Sequence, residues 1–194
     1  MTKKDIRKEV YARRSMLKEE EFRMLNDNLH SNIKEFFNRL DEYKNSKTLF
    51  MYSSYGKEAD TNKLFDIFRY DGKQIAFPKV TIPENRQMNF VVVTDIKELS
   101  AGYKGIPEPI GNCYCDEISQ EAIIVVPMVA FSKEGARVGY GGGYYDKYLS
   151  KYKFRKIIGI AFEFQRFDDI EKEEHDIKLD YIVTEKKIYG GLYE

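Results

Sequence analysis

Between residues 137 and 146 the chain reads Arg137-Val138-Gly139-Tyr140-Gly141-Gly142-Gly143-Tyr144-Tyr145-Asp146, and no other stretch is as rich in chemistry. Four of the five residues from Gly139 to Gly143 are glycine. Without Cβ atoms the main chain can be approached closely by a ligand, and positive φ values are open to it. Successive N–H groups can then converge on phosphate oxygens, helped by the start of a helix expected from Tyr144 to about Ser150. Asp146 would fall in the first turn of that helix, where a carboxylate is favoured and can hold a magnesium ion. The common glycine fingerprints do not fit. G-x-x-x-x-G-K-[ST] requires a Lys-Ser or Lys-Thr after the glycines, and G-x-G-x-x-G requires glycine where Tyr144 stands. A flexible surface turn is the plainer reading. Two bulky aromatics and an acid directly after the glycines favour an anion-binding loop instead.

Such a loop needs a scaffold. Ile123-Ile124-Val125-Val126 is the clearest strand, because four branched aliphatics in a row suit a strand covered on both faces. The glycine loop follows it closely, as expected where ligands gather beyond the carboxyl ends of parallel strands. Further strands are expected at Thr48 to Tyr52, Gln74 to Phe77, Phe90 to Val93, Ile157 to Ala161 and Tyr181 to Thr184. The first 40 residues read as helix. Ile6, Val10 and Leu17 form one stripe; Phe22, Leu25, Leu29, Ile33, Phe36, Phe37 and Leu40 form a stronger one, with a break near Ser15. Asp60 or Thr61 is placed to cap a helix carrying Leu64, Phe65 and Phe68. Strands alternating with helices predict an α/β fold with a largely parallel sheet, built as one domain over residues 1–194.

Composition narrows the classes. Thirty-two basic residues balance 32 acidic ones, which argues against a general nucleic-acid binder while leaving room for a local cationic pocket. No apolar run is long enough to cross a bilayer, and the charged opening Met1 to Asp5 leads into no secretory signal. Cys113 and Cys115 are separated by one residue, which would strain a disulfide and leaves a zinc set incomplete. Reduced thiols and a cytoplasmic location are expected.

Several separated segments resemble the 5-formyltetrahydrofolate cyclo-ligase family, also called methenyltetrahydrofolate synthetase. The most specific runs from Val126-Pro127 through Ala130-Phe131 and Gly135-Ala136-Arg137 to Tyr144-Tyr145-Asp146 and Tyr148-Leu149, where the family writes Arg-Leu-Gly-x-Gly-x-Gly-Tyr-Tyr-Asp. Lys3-Lys4-Asp5-Ile6-Arg7 is similar to the family's basic opening. Tyr52-Ser53-Ser54 with Glu58-Ala59-Asp60-Thr61 resembles a turn that carries a folate-contacting glutamate. Gly105-Ile106-Pro107-Glu108-Pro109 and the closing His175-Asp176, Leu179-Asp180 and Thr184 also match. Val138 stands for the usual leucine, and Tyr140 and Gly142 occupy places where several members carry basic side chains.

The resemblance implies a three-layer α/β/α sandwich similar to the ribose-phosphate isomerase and CoA-transferase group. It implies ATP-dependent closure of 5-formyltetrahydrofolate, with or without a polyglutamate tail, to the 5,10-methenyl form through a phosphorylated formyl group. Arg137, Tyr144 and Asp146 are then the expected catalytic residues. ATP would lie against Lys3, Lys4, Asp5, Ile6 and Arg7 and the loop Arg137, Val138, Gly139, Tyr140, Gly141, Gly142, Gly143, Tyr144 and Tyr145. The folate would contact Ser53, Glu58, Tyr140, Gly141, Gly142, Gly143 and Tyr144, and Mg²⁺ would bind Asp146 and Asp180. Lys147 is a further candidate cation, and His175 is read first as a structural hydrogen-bonding residue. A monomer is expected, with neither nucleic acid nor membrane as partner. Two other readings compete: a sugar-phosphate isomerase or hydrolase that needs no ATP, and a non-catalytic nucleotide- or folate-binding regulator.

Overall fold

The computed structural model describes residues 1–171, 173 and 176–191. Two helices open the chain, α1 (Lys3–Met16) and α2 (Glu19–Arg39), followed by the short α3 (Asp41–Asn45). Thr2 caps α1 by accepting from Asp5 N at 3.2 Å. The break between the first two helices falls at Leu17-Lys18, two residues later than expected; Ser15 remains helical and donates to Ala12 O at 2.7 Å. The chain then runs through β1 (Thr48–Phe50), α4 (Leu64–Tyr70), β2 (Gln74–Ile82), β3 (Gln87–Val93), β4 (Leu99–Ala101), β5 (Pro107–Pro109) and β6 (Ile123–Val126). It closes with β7 (Ala130–Phe131), β8 (Arg137–Val138), α5 (Tyr144–Lys151), β9 (Lys156–Ile160), β10 (Tyr181–Val183) and β11 (Ile188–Tyr189).

Seven strands form one sheet in the order β11-β10-β9-β6-β1-β2-β3. The five inner strands run parallel, and β3 and β11 close the edges antiparallel. The strand alternation explains why those inner runs are apolar throughout. Leu49, Met51, Ile123 and Val125 face one cluster with α2, α3 and α4, while Phe50, Ile124 and Val126 face another with Tyr148 and Leu149 of α5. Each such fully buried side chain contributes roughly 1.5–3 kcal/mol. The result is the expected three-layer arrangement around a mostly parallel sheet.

A third, smaller cluster matters for the site. Ile6 and Val10 of α1 pack on Val129, Ala130, Ala136 and Val138, fixing the helix against the β7–β8 hairpin. That hairpin starts from the carboxyl end of β6 and returns to the glycine loop, so α1 is delivered to the same end of the sheet as that loop.

Candidate active site

The loop leaves β8 and enters α5 with a series of unused donors. Gly141 and Gly143 adopt φ values of 89° and 70°, which a side chain would resist. Among the described residues, no main-chain N–H from Gly141 through Asp146 has a hydrogen-bond partner; the first one satisfied is Lys147 N, bonded to Gly143 O at 3.1 Å. A helix always leaves its first N–H groups free, and here a glycine run adds more beside them. The arrangement is a run of free main-chain donors suited to phosphate.

Side chains from three directions fix this surface. Arg7 donates through Nε to Gly139 O at 2.7 Å, and its Cζ lies 3.7 Å from where a Cβ on Gly141 would sit. Arg137, with a nearly buried side chain, donates to Pro127 O at 3.2 Å and pairs with the Asp146 carboxylate. That pair ties the first turn of α5 to the residue leaving β6. Tyr144 reaches the other way, its ring 5.9 Å from that of Tyr103 and its hydroxyl donating to Pro83 O at 3.4 Å. Burial and the neighbouring Tyr103 hydroxyl push the Tyr144 phenol up to about 12, so it stays a neutral donor.

Glu58 comes from the turn after β1. Its carboxylate accepts Tyr55 N at 2.9 Å and the hydroxyl of Tyr140, which in turn accepts Nη1 of Arg14 at 2.7 Å. Burial raises the Glu58 carboxyl above the usual range, and the bonds from Tyr140 and Tyr55 and the charge of Arg14 only partly offset that. Two buried polar atoms here lack partners among the described residues: Nε of Arg14 and the hydroxyl of Tyr145. Orphaned donors of this kind are costly unless something else binds them. The Glu58 and glycine-loop regions thus meet at Tyr140, and form one site.

Of the residues expected from the sequence, Arg7, Arg137, Gly139 to Tyr145, Asp146 and Glu58 are gathered at this end. Lys3 lies on the same face of α1 but is neutralised by Asp176 at 2.8 Å and Glu173 at 3.0 Å. Lys4 and Asp5 are exposed, with Asp5 occupied in the cap, and Ile6 and Val138 are packed in the third cluster. Ser53 is buried beside the Glu58 turn and donates to Asn62 Oδ1 at 2.9 Å. His175 lies outside the described residues. Asp180 departs from expectation: it accepts Ile157 N at 2.7 Å and lines a cleft with Lys133, Lys156 and Lys178, on the amino side of β9 and β10. Asp146 belongs to the carboxyl side, so the sheet register keeps the two carboxylates from sharing one ion. Among the described residues no group of three metal-ligating side chains occurs. Asp146 beside free phosphate donors nevertheless fits a magnesium ion that takes most of its ligands from a nucleotide and water.

Arg14 and Arg86 were not singled out from the sequence. Arg14 had a signal: Lys3, Ile6, Arg7, Val10 and Arg14 recur at three- and four-residue steps and so share one face of α1. Arg86 had none. It reaches the loop from a hairpin tip, with Nη1 3.3 Å from where a Cβ on Gly143 would sit.

Comparison with known proteins identifies the family. The pattern describing the 5-formyltetrahydrofolate cyclo-ligase family matches residues 1–185. A probable 5-formyltetrahydrofolate cyclo-ligase from Schizosaccharomyces pombe is 31% identical over 168 residues, covering 79% of this chain and 82% of that protein. The Escherichia coli K12 5-formyltetrahydrofolate cyclo-ligase is 28% identical over 145 residues, or 73% and 80% of the two chains. The solution structure of Aquifex aeolicus 5,10-methenyltetrahydrofolate synthetase superimposes with a TM-score of 0.80 at 34% identity, covering 98% of this chain and 93% of that one. With the loop, the Glu58 turn and the basic face of α1 in place, the chain belongs to the 5-formyltetrahydrofolate cyclo-ligase family.

Proposed function

We propose that this enzyme closes 5-formyltetrahydrofolate to 5,10-methenyltetrahydrofolate at the expense of ATP, in the cytoplasm and as a monomer. The observation that carries the reading is the run of N–H groups from Gly141 through Asp146 that are unpartnered among the described residues, set beside Arg7 and next to the Glu58–Tyr140 pair. A phosphate chain and a flat, donor-rich ring would then meet at Tyr140.

The chemistry explains why both halves are needed. The formyl oxygen attacks the γ-phosphorus and ADP departs, leaving a phosphorylated formyl carbon double-bonded to N5. N10 adds to that carbon, its proton is lost, and phosphate leaves to give the methenyl ring. An amide oxygen is a poor leaving group and a phosphate a good one. Phosphoryl transfer depends mainly on positioning and charge stabilisation, which the loop amides and Arg7 supply. Arg137 holds Asp146 at the mouth of the loop, and Asp146 would hold Mg²⁺, which supplies charge neutralisation at the phosphates. Glu58 accepts the paired N–H donors of the pterin, with Ser53 bracing its turn and the Tyr144 ring offering a stacking face.

Incubating the purified protein with Mg²⁺, ATP and 5-formyltetrahydrofolate should develop the near-ultraviolet absorbance of the methenyl product. Omitting ATP should abolish it. Turnover without nucleotide would remove the proposal and return the site to phosphate-only chemistry.

A further inference from the structure

We propose that Arg86, at the tip of the β2–β3 hairpin, supplies a second guanidinium to the phosphate site, opposite Arg7. The inference rests on the nucleotide reading of the glycine loop given above. The loop itself carries no cation between Val138 and Asp146. Its charge partners must therefore come from elsewhere, and most nearby cations are already engaged. Lys3 pairs with Asp176 and Glu173. Arg137 is shared between Asp146 and Pro127 O. Lys147 donates to Asn85 O at 2.6 Å, and Arg14 donates to the Tyr140 hydroxyl and Met128 O.

Two guanidinium groups remain. Among the described residues Arg7 uses Nε alone in a hydrogen bond, leaving its terminal nitrogens beside Gly141. Arg86 has no side-chain hydrogen bond or ion pair among the described residues, and lies against Gly143. The free N–H groups thus have one arginine at Gly141 and another at Gly143. A planar fork at each side can meet phosphoryl oxygens that main-chain donors alone would leave under-compensated.

The hairpin tip is built to hold that position. A 3₁₀ turn at Pro83–Asn85 leads into Arg86 at φ 49° and ψ 39°, the left-handed region that a non-glycine residue enters at a cost. Two contacts moor the tip to the first turn of α5: Lys147 to Asn85 O, and the Tyr144 hydroxyl to Pro83 O. The same helix whose N-terminus ends the donor run therefore carries Arg86 with it. An exposed hairpin charge that makes no ion pair among the described residues adds little to stability, so a solvated surface residue would gain nothing from this mooring.

The test compares Arg86→Gln, Arg86→Lys and Glu84→Gln, the last a control from the same tip. ATP binding is measured by calorimetry without folate, turnover by steady-state kinetics, and folding by thermal melting. Arg86→Gln is expected to weaken ATP binding about tenfold or more and to lower kcat/KM for ATP at least as far. The KM for folate and the melting temperature should stay unchanged. Arg86→Lys should recover part of the loss, and Glu84→Gln should match wild type. Wild-type ATP affinity and kinetics in Arg86→Gln would overturn the proposal while leaving the nucleotide reading intact, as would equal losses in Glu84→Gln. A wild-type protein that binds no ATP would overturn both.

Discussion

Two irregular segments lie at the carboxyl end of the sheet, the turn after β1 and the loop after β8, and they treat their hydrogen bonds in opposite ways. In the first, side chains consume the backbone donors. Thr61 Oγ1 takes Ser54 N, Glu58 takes Tyr55 N, Asn26 takes Asp60 N, Ser54 Oγ takes Thr61 N and Asp60 takes Asn62 N, all at 3.1 Å or less. In the second, the donors from Gly141 through Asp146 find nothing among the described residues. Composition decides the difference. Ser, Thr, Asp and Asn carry acceptors that satisfy a nearby N–H, whereas glycine brings none. A self-satisfied turn is a mount for one side chain, here Glu58; an unsatisfied one is a receptor. Changes in the mount should therefore register in stability, and changes in the receptor in kinetics.

The largest effect is expected from Gly141→Val. At φ 89° a branched side chain is strained, and its Cβ would sit within 4 Å of the Arg7 guanidinium, covering donors that phosphate needs. Loss of a single preorganised donor costs about a hundredfold or more in turnover. Steady-state kinetics should show kcat/KM for ATP falling by at least that factor, with stability lowered by no more than the about 1–3 kcal/mol of that backbone strain. A variant that turns over normally but melts early would mean the loop is structural, like the turn it is contrasted with.

Thr61→Val should do the reverse. The Thr61 hydroxyl is fully buried, donates to Tyr52 O at 2.6 Å and accepts Ser54 N at 3.1 Å. Valine keeps the shape but leaves both backbone groups unpaired, at a cost of about 1–3 kcal/mol. Chemical denaturation should report that loss, while kcat at saturating substrates moves less than about threefold. An unchanged stability with a collapsed kcat would erase the distinction between mount and receptor.

The sequence disclosed these two segments unequally. The receptor was legible because glycine clustering beside aromatics is rare and its physics is local. The inner strands were legible because burial on both faces writes continuous apolar runs, as at Ile123 to Val126. What escaped was set by partners distant in the chain. Two- and three-residue ladders such as β4–β5 and β7–β8 show no period, and the length of β2 is fixed by its pairing with β3. Asp60 does bind the N–H groups of Asn62 and Lys63, but α4 proper starts only at Leu64. Asp180 was expected to bind metal with Asp146 only through the family resemblance; the strand register places it on the amino side. Arg86 approaches Gly143 across more than fifty residues of sequence, and no local pattern signals such a meeting.

The smallest effect tests whether the mount carries its side chain at a cost. Burial raises the Glu58 carboxyl, so the folded protein holds this proton more tightly than the unfolded chain does. Stability contributed by the protonated form is therefore present at low pH and is lost as pH rises through the raised value. Glu58→Gln should melt slightly above wild type at neutral pH, and the difference should vanish below the ordinary carboxyl range. Function runs against this gradient, because accepting pterin donors requires the carboxylate. Wild-type kcat/KM for folate should decline on the acid side with a midpoint above that of a free glutamate. The Gln variant should be weaker by about tenfold at neutral pH and should lack that acid limb. If the acid limb survives in Glu58→Gln, another group titrates there, and the turn after β1 holds a structural acid rather than a substrate contact.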